Sequence, residues 1–115
     1  MNGTIPDNWF TQLRKGVLEL CVLKAVQSGR EYGYDIVRRL REIRSLMIRE
    51  GTIYPILSRL KLDGYLDVKV EESTEGPPRK CYRLTARGIR VLESMDSHWS
   101  ELVEDIQALH KEARS

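Results

Sequence analysis

Three side chains that can hydrogen-bond an anion lie close together in one stretch of the sequence. The stretch is "EGTIYPILSRLKLDGYL", residues 50–66, and the side chains are Tyr54, Ser58 and Arg59. Gly51 and Thr52 follow the first residue of the stretch, and none of the residues on this polar face is acidic. If the segment is a helix, the free backbone N–H groups and positive dipole end at its N-terminus favour a phosphate. The residue types therefore predict contact with a polyanion.

The same segment has the pattern of a helix that packs on a core. Ile53, Ile56, Leu57 and Leu60 recur at the spacing of one helical face, and Gly64 is placed to end the helix in the left-handed conformation. With Glu50, Gly51 or Thr52 as N-cap, Pro55 falls within the first few positions, where a missing N–H costs little. Tyr54, Ser58 and Arg59 can then reach base edges or phosphates in a DNA major groove about 12 Å wide. The alternative is that Tyr54 and Pro55 only pack against the preceding loop.

Two further helices precede this one. The first is predicted from Trp9 to Gln27, with two apolar faces, and it breaks at Gly29. Its first face comprises Phe10, Leu13, Val17 and Leu20, and its second comprises Leu18, Val22 and Val26. The second helix is amphipathic through Ile36, Val37, Leu40 and Ile43.

After Gly64 the apolar period changes from 3.6 to 2, which predicts a β-hairpin. Leu66, Val68 and Val70 alternate with charged residues, the loop "ESTEGPPR" follows, and "KCYRL" forms the return strand. Five cations and no acid lie between residues 79 and 90, namely Arg79, Lys80, Arg83, Arg87 and Arg90. A basic wing strand thus follows the helix that carries Tyr54.

A long last helix begins after Thr85, which is predicted as its N-cap. Its apolar residues recur at steps of 3 and 4, a heptad seam made of Leu92, Met95, Trp99, Leu102, Ile106 and Leu109. As one helix, residues 85–113 span about 43 Å, far beyond the body of so small a domain. We therefore expect a second subunit to cover the seam, with Phe10, Leu13 and Val17 of the first helix joining the interface. An intrachain hairpin of the first and last helices is the alternative.

The element order predicts a mostly α fold with a β-hairpin wing, that is, a winged helix-turn-helix over residues 1–84 and a dimerisation helix over residues 85–115. The chain of 115 residues fits one domain. Residues 1–90 carry a net charge of +6 (17 Lys and Arg, 11 Asp and Glu) and residues 91–115 one of −4 (2 against 6). A basic body suits a polyanionic partner, although it also describes an ordinary solvated surface.

Several function classes find no support in the sequence. No apolar run approaches the roughly 20 residues of a membrane helix and no signal peptide is evident, so we expect a cytoplasmic protein. Cys21 and Cys81 belong to no C-x-x-C pair and are expected to be small buried hydrophobes rather than zinc or redox ligands. His98 has no nucleophile or carboxylate in catalytic spacing. We expect neither an enzyme nor a cofactor.

Three motifs resemble the PadR family of transcriptional regulators. "GTIYPILSRLKLDGYL" resembles its recognition helix, "GREYGYDIVRRL" its second helix, and "GPPRKCYRLTARG" its wing strand and fourth-helix start, all with the spacing intact. The resemblance implies a homodimeric DNA-binding repressor that releases double-stranded DNA on sensing a small molecule. By position it assigns DNA contacts to Tyr32, Tyr34, Thr52, Tyr54, Arg59, Arg79 and Lys80. Lys61 and Cys81 depart from the family pattern, which often has Glu and an aromatic residue there.

Trp99 lies in the middle of the heptad seam and has two interpretations. It is either part of a dimer core or a platform for a ligand. The resemblance favours the platform, because small PadR proteins include multidrug-responsive members that hold planar aromatic compounds between tryptophans at this place in the last helix. A protein interaction module that binds an acidic protein surface, without an operator, is the rival function.

Overall fold

The described residues form five helical segments and three strands. The computed structural model describes residues 5–27 and 31–114, so the predicted break at Gly29 lies outside the described residues. The elements in chain order are α1 (Asp7–Val26), β1 (Glu31–Tyr32), α2 (Gly33–Arg41), a short 3₁₀ turn (Arg44–Leu46), α3 (Glu50–Leu62), β2 (Leu66–Glu71), β3 (Arg79–Leu84) and α4 (Ala86–Arg114). This architecture confirms the predicted helical fold with a β-hairpin wing.

One hydrophobic core joins α1, α2, α3 and the base of the wing. Its most deeply buried side chains include Leu23, Ile36, Ile53, Leu57 and Leu66. Burial of each such side chain stabilises the fold by about 1.5–3 kcal/mol. The predicted apolar face of α3 therefore packs inward and leaves the opposite face to solvent. Ile43 was expected to extend the buried face of α2, but α2 ends at Arg41 and Ile43 is exposed.

The wing is the predicted hairpin with one strand added. β2 and β3 pair antiparallel from Leu66 opposite Leu84 to Glu71 opposite Arg79, and the two residues of β1 pair with the other edge of β3. β1 escapes prediction because two residues cannot show an alternating pattern. Tyr32 of β1 lies opposite Cys81, and Cys81 is buried, as expected of a small hydrophobe.

The two ends of α3 differ in how well the sequence predicted them. Its C-terminus is confirmed, because Gly64 has φ +84° and the Tyr65 N–H donates to the Leu60 carbonyl at 3.0 Å. Its N-terminus lies earlier than expected, since Arg49 is the N-cap. Pro55 is therefore the sixth helical residue, beyond the positions whose N–H groups have no intrahelical partner, so it removes one hydrogen bond from inside α3.

The start of α4 is fixed to the turn that follows α3. Thr85 is the N-cap as predicted, because its Oγ1 accepts the Gly88 N–H at 2.9 Å and donates to the Gly64 carbonyl at 2.7 Å. A Cβ at Gly88 would lie 2.1 Å from the Tyr65 carbonyl oxygen, so this close approach requires glycine. The turn therefore sets the direction in which the long helix leaves the body.

Candidate nucleic-acid interface and apolar groove

A groove of about 550 Å³ lies between the wing, the start of α2 and α3. Five of the eight residues that were predicted to contact DNA line this groove, and the other three, Thr52, Ser58 and Arg59, do not. The lining residues are Tyr32, Gly33, Tyr34, Asp35, Tyr54, Pro78, Arg79, Lys80 and Tyr82. Tyrosine rings and cations from three separate elements thus face one groove, the combination that base edges and phosphates require.

Tyr54 is packed on one side and open on the other. A Cβ at Gly33 would lie 3.1 Å from Tyr54 Cε1 and 3.4 Å from Tyr82 Cε1, so the ring lies directly on the start of α2. Burial raises the pKa of Tyr82, and the neighbouring Tyr54 adds to that rise. Tyr54 nevertheless keeps 40% of its surface exposed. The ring therefore packs against the start of α2 and stays partly accessible.

Two arginines, Arg79 in this groove and Arg38 beside it, lie over tyrosine rings that line the groove. The Arg79 guanidinium lies 5.3 Å from the centre of the Tyr32 ring, and that of Arg38 lies 5.6 Å from the centre of the exposed Tyr34 ring. Asp35 also lines the groove, but it pairs with Arg38 at 3.2 Å. Positive charge therefore dominates the mouth of the groove.

Arg59 does not join this groove. Its guanidinium pairs with the carboxylate of Glu19 on α1, on the other side of α3. Thr52 also faces α1, where it lines a cleft with Phe10. Ser58 is exposed and lines neither the groove nor this cleft. The Glu19 contact was missed because a pair separated by 40 residues leaves no signal in local periodicity.

A second groove, about 540 Å³ in volume, runs between α1 and α4 and is almost entirely apolar. Trp99 forms part of its wall and is 38% exposed. The lining residues are Gln12, Leu13, Gly16, Val17, Leu20, Ser94, Met95, His98, Trp99 and Leu102. Of the interface candidates on the first helix, Leu13 and Val17 lie in this groove, whereas Phe10 lies in the cleft beside Thr52.

The heptad seam of α4 divides into two halves. Leu92, expected at a dimer interface, is only 2% exposed because the protomer's own core covers it, and Met95 is half-buried against the same core. Asp96 pairs with Lys24 of α1 at 3.0 Å. The first half therefore packs on α1 of the same chain, as the intrachain alternative predicted. The outer half, with Leu102, Ile106 and Leu109, is exposed.

The described residues include no membrane-spanning helix and no metal-binding cluster. No helix there is long and apolar enough to cross a membrane. Over the same residues, His, Cys, Asp and Glu side chains form no group of three that would hold a metal ion.

The chain is similar in sequence and fold to several solved proteins. A PadR-like transcription factor from Bacteroides fragilis is 43% identical, with 90% of this chain and 99% of that chain covered and a TM-score of 0.75. The PadR-like regulator BC4206 from Bacillus cereus is 32% identical, with 85% and 95% covered and a TM-score of 0.75. PadR of Bacillus subtilis in complex with operator DNA is 26% identical, with 69% and 46% covered and a TM-score of 0.62.

A family profile matches more than half of the chain. The matched segment, residues 22–94, begins in α1 and ends in the first half of α4. It includes all of the groove between the wing and α3. The chain therefore belongs to the transcriptional regulator PadR-like family.

Proposed function

We propose that the chain is a cytoplasmic homodimeric repressor that binds double-stranded DNA and is released from a near-palindromic operator by a planar aromatic small molecule. The observation that carries DNA binding is the groove between the wing and α3, where Tyr34, Tyr54, Arg79 and Lys80 face one space. The operator complex of Bacillus subtilis PadR supports the same use of this fold.

Dimerisation is supported by the outer half of α4. Leu102, Ile106 and Leu109 continue the apolar seam along the outer half of α4 and are exposed. The protomer, with this helix included, is 64 Å long. A two-fold partner would cover this seam and the open apolar groove beside it. Two recognition helices would then read half-sites about 34–36 Å apart, one turn of DNA.

Ligand release is supported by the position of α1. One side of α1 lines the apolar groove through Val17 and Leu20, while Glu19 on another side pairs with Arg59 of α3. A compound that binds beside Trp99 and prefers one position of α1 would thereby shift α3 as well. A ligand changes DNA affinity only through such a difference in its binding to the two states.

Selection of bound fragments from random DNA tests this proposal. We expect enrichment of a near-palindrome with half-sites one helical turn apart, and affinity that falls steeply as salt rises. Mobility-shift titrations of the selected duplex, compared with a scrambled duplex of equal length, separate specific from non-specific binding. Binding to an acidic protein surface with no selected sequence would favour the interaction-module alternative.

Truncation of Tyr54 should weaken DNA binding without changing the dimer. Tyr54→Ala removes the accessible ring edge from the groove, and we expect a loss of about 1–3 kcal/mol if the side chain contacts a base. Tyr54→Phe serves as the control that separates the hydroxyl from the ring. Fluorescence anisotropy with the selected duplex measures the affinity, and unchanged affinity of Tyr54→Ala would remove this residue from the interface.

Arg59 requires a matched pair of variants, because it already has a partner. Arg59→Ala removes the guanidinium from both Glu19 and DNA, and we expect it to weaken binding by about 1–3 kcal/mol. Glu19→Gln keeps Arg59 but removes the competing carboxylate, so we expect it to tighten binding. Equal weakening by both variants would show that the ion pair serves the fold alone.

The wing charges should contribute to binding of every DNA sequence. Replacing Arg79 and Lys80 with alanine should weaken binding about 10- to 100-fold and shrink the slope of log K against log salt by up to about two units, because each phosphate contact releases counterions. The control is Arg87→Ala with Arg90→Ala, which removes the same charge from the exposed face of α4. An unchanged salt slope in the wing variant would mean that the wing does not touch phosphates.

A further inference from the structure

Three side chains from three strands meet near the tip of the wing, beside the groove that Tyr32 and Arg79 line. Glu71 and Arg79 form the last pair of the β2–β3 ladder, and Tyr32 of β1 lies opposite Cys81, two residues along β3 from Arg79. Because side chains alternate along a strand, Arg79 and Cys81 face the same side of the sheet. The pairing register therefore brings Tyr32, Glu71 and Arg79 together.

Tyr32 contacts both of the other side chains, Glu71 through its hydroxyl and Arg79 through its ring. The Tyr32 hydroxyl donates a hydrogen bond of 2.8 Å to Glu71 Oε1, an ordinary distance for an O–H···O bond. The Arg79 guanidinium then rests over the ring of Tyr32, at 5.3 Å from its centre. Glu71 thus holds the ring, and the ring holds the arginine.

We propose that Glu71 is a positioning residue of the wing, which presents Arg79 to a DNA phosphate by fixing Tyr32. The inference rests on the proposed function, since it assumes that the wing contacts DNA. An arginine side chain that is free in solution loses rotamer freedom on binding, and holding it beforehand reduces that loss. Removal of this carboxylate should therefore weaken DNA binding, although a negative charge near DNA would otherwise repel it.

The experiment measures affinity for the selected duplex by fluorescence anisotropy in two backgrounds, wild-type and Arg79→Ala. In the wild-type background, Glu71→Ala and Tyr32→Phe should each weaken binding about 3- to 10-fold, the effect of one lost hydrogen bond. Glu71→Gln keeps an oxygen acceptor for the Tyr32 hydroxyl and should retain wild-type affinity within about twofold. In the Arg79→Ala background all three changes should alter affinity by less than about twofold, because their effect passes through Arg79.

Glu72→Ala is the matched control for charge, since it removes a neighbouring exposed carboxylate. We expect it to leave binding unchanged or slightly tighter. Tighter binding by Glu71→Ala, or an equal loss in both backgrounds, would overturn the positioning role. If Glu71→Ala does not fold, Tyr32→Phe still tests the same hydrogen bond. A wild-type protein that binds no DNA would overturn the proposed function itself. A protein that binds DNA but shows no dependence of the Glu71 effect on Arg79 would overturn only the positioning role.

Discussion

Replacing Leu102 and Ile106 together with aspartate should convert the proposed dimer into monomers. Both side chains are exposed on the outer half of α4, where a second protomer would bury them. Each substitution loses about 1.5–3 kcal/mol of apolar burial, and a carboxylate placed in the interface adds a desolvation penalty. We expect the dimer Kd to rise at least a thousandfold, or about 4 kcal/mol. Sedimentation velocity over a range of protein concentrations measures this change.

The control places the same charges on the opposite side of the same helix. Ser97→Asp with Ser100→Asp adds two carboxylates at exposed positions off the seam, and this variant should remain a dimer. Circular dichroism should give equal helix content for both variants. Affinity for the near-palindromic duplex should fall in the Leu102 and Ile106 variant alone, since a monomer engages one half-site. A variant that stays dimeric would place the interface elsewhere.

Local sequence patterns predicted the parts of the fold that depend on local physics. Gly64 ends α3 because its backbone adopts φ +84°, and Thr85 caps α4 through its own hydroxyl. The change of period after Gly64 gave the hairpin, because alternation follows directly from the pleat of a strand. Each of these features requires only neighbouring residues.

Contacts between distant elements could not be predicted in the same way. Leu92 and Ile106 have the same heptad pattern, yet the core covers the first and leaves the second 56% exposed. Periodicity identifies the apolar face of a helix, but where the body of the domain ends depends on tertiary packing. For the same reason the pattern of α3 gave no sign that Arg59 pairs with Glu19. Leu62, 85% exposed at the end of α3, has no structural explanation.

The candidate DNA-binding residues were predicted as one set, but the structure divides them. Tyr34, Tyr54, Arg79 and Lys80 share a groove, whereas Thr52 and Arg59 face α1. The division follows from the helical rotation between successive residues of α3, which places Tyr54 toward the wing and Arg59 about 140° further round. α1 is therefore the element that contacts both sides, since Val17 and Leu20 line the apolar groove and Glu19 pairs with Arg59 of α3.

Trp99 is either part of a packed dimer interface or part of a ligand site. The two interpretations predict different losses of dimer stability when Trp99 is replaced by alanine. If the dimer packs tightly on the indole, Trp99→Ala should cost about 3–5 kcal/mol and dissociate the dimer. If two indoles instead flank an open space, truncation should affect the dimer far less while abolishing binding of planar compounds. We expect the second result, because Trp99 borders a groove of about 540 Å³.

Fluorescence titration in a Trp9→Phe background provides the test, because Trp99 is then the only tryptophan left in the sequence. Planar aromatic compounds, both cationic and neutral, should quench its emission and lower affinity for the selected duplex at the same concentrations. Glu101 and Glu104 follow Trp99 on α4 but do not line the groove, so they should attract cationic compounds only through long-range charge, which acts at low salt. Charge-neutralising variants of these two residues should remove that preference and leave binding of neutral compounds unchanged. No quenching by any compound, together with a monomeric Trp99→Ala protein, would make Trp99 part of the dimer core and place release of DNA under another signal.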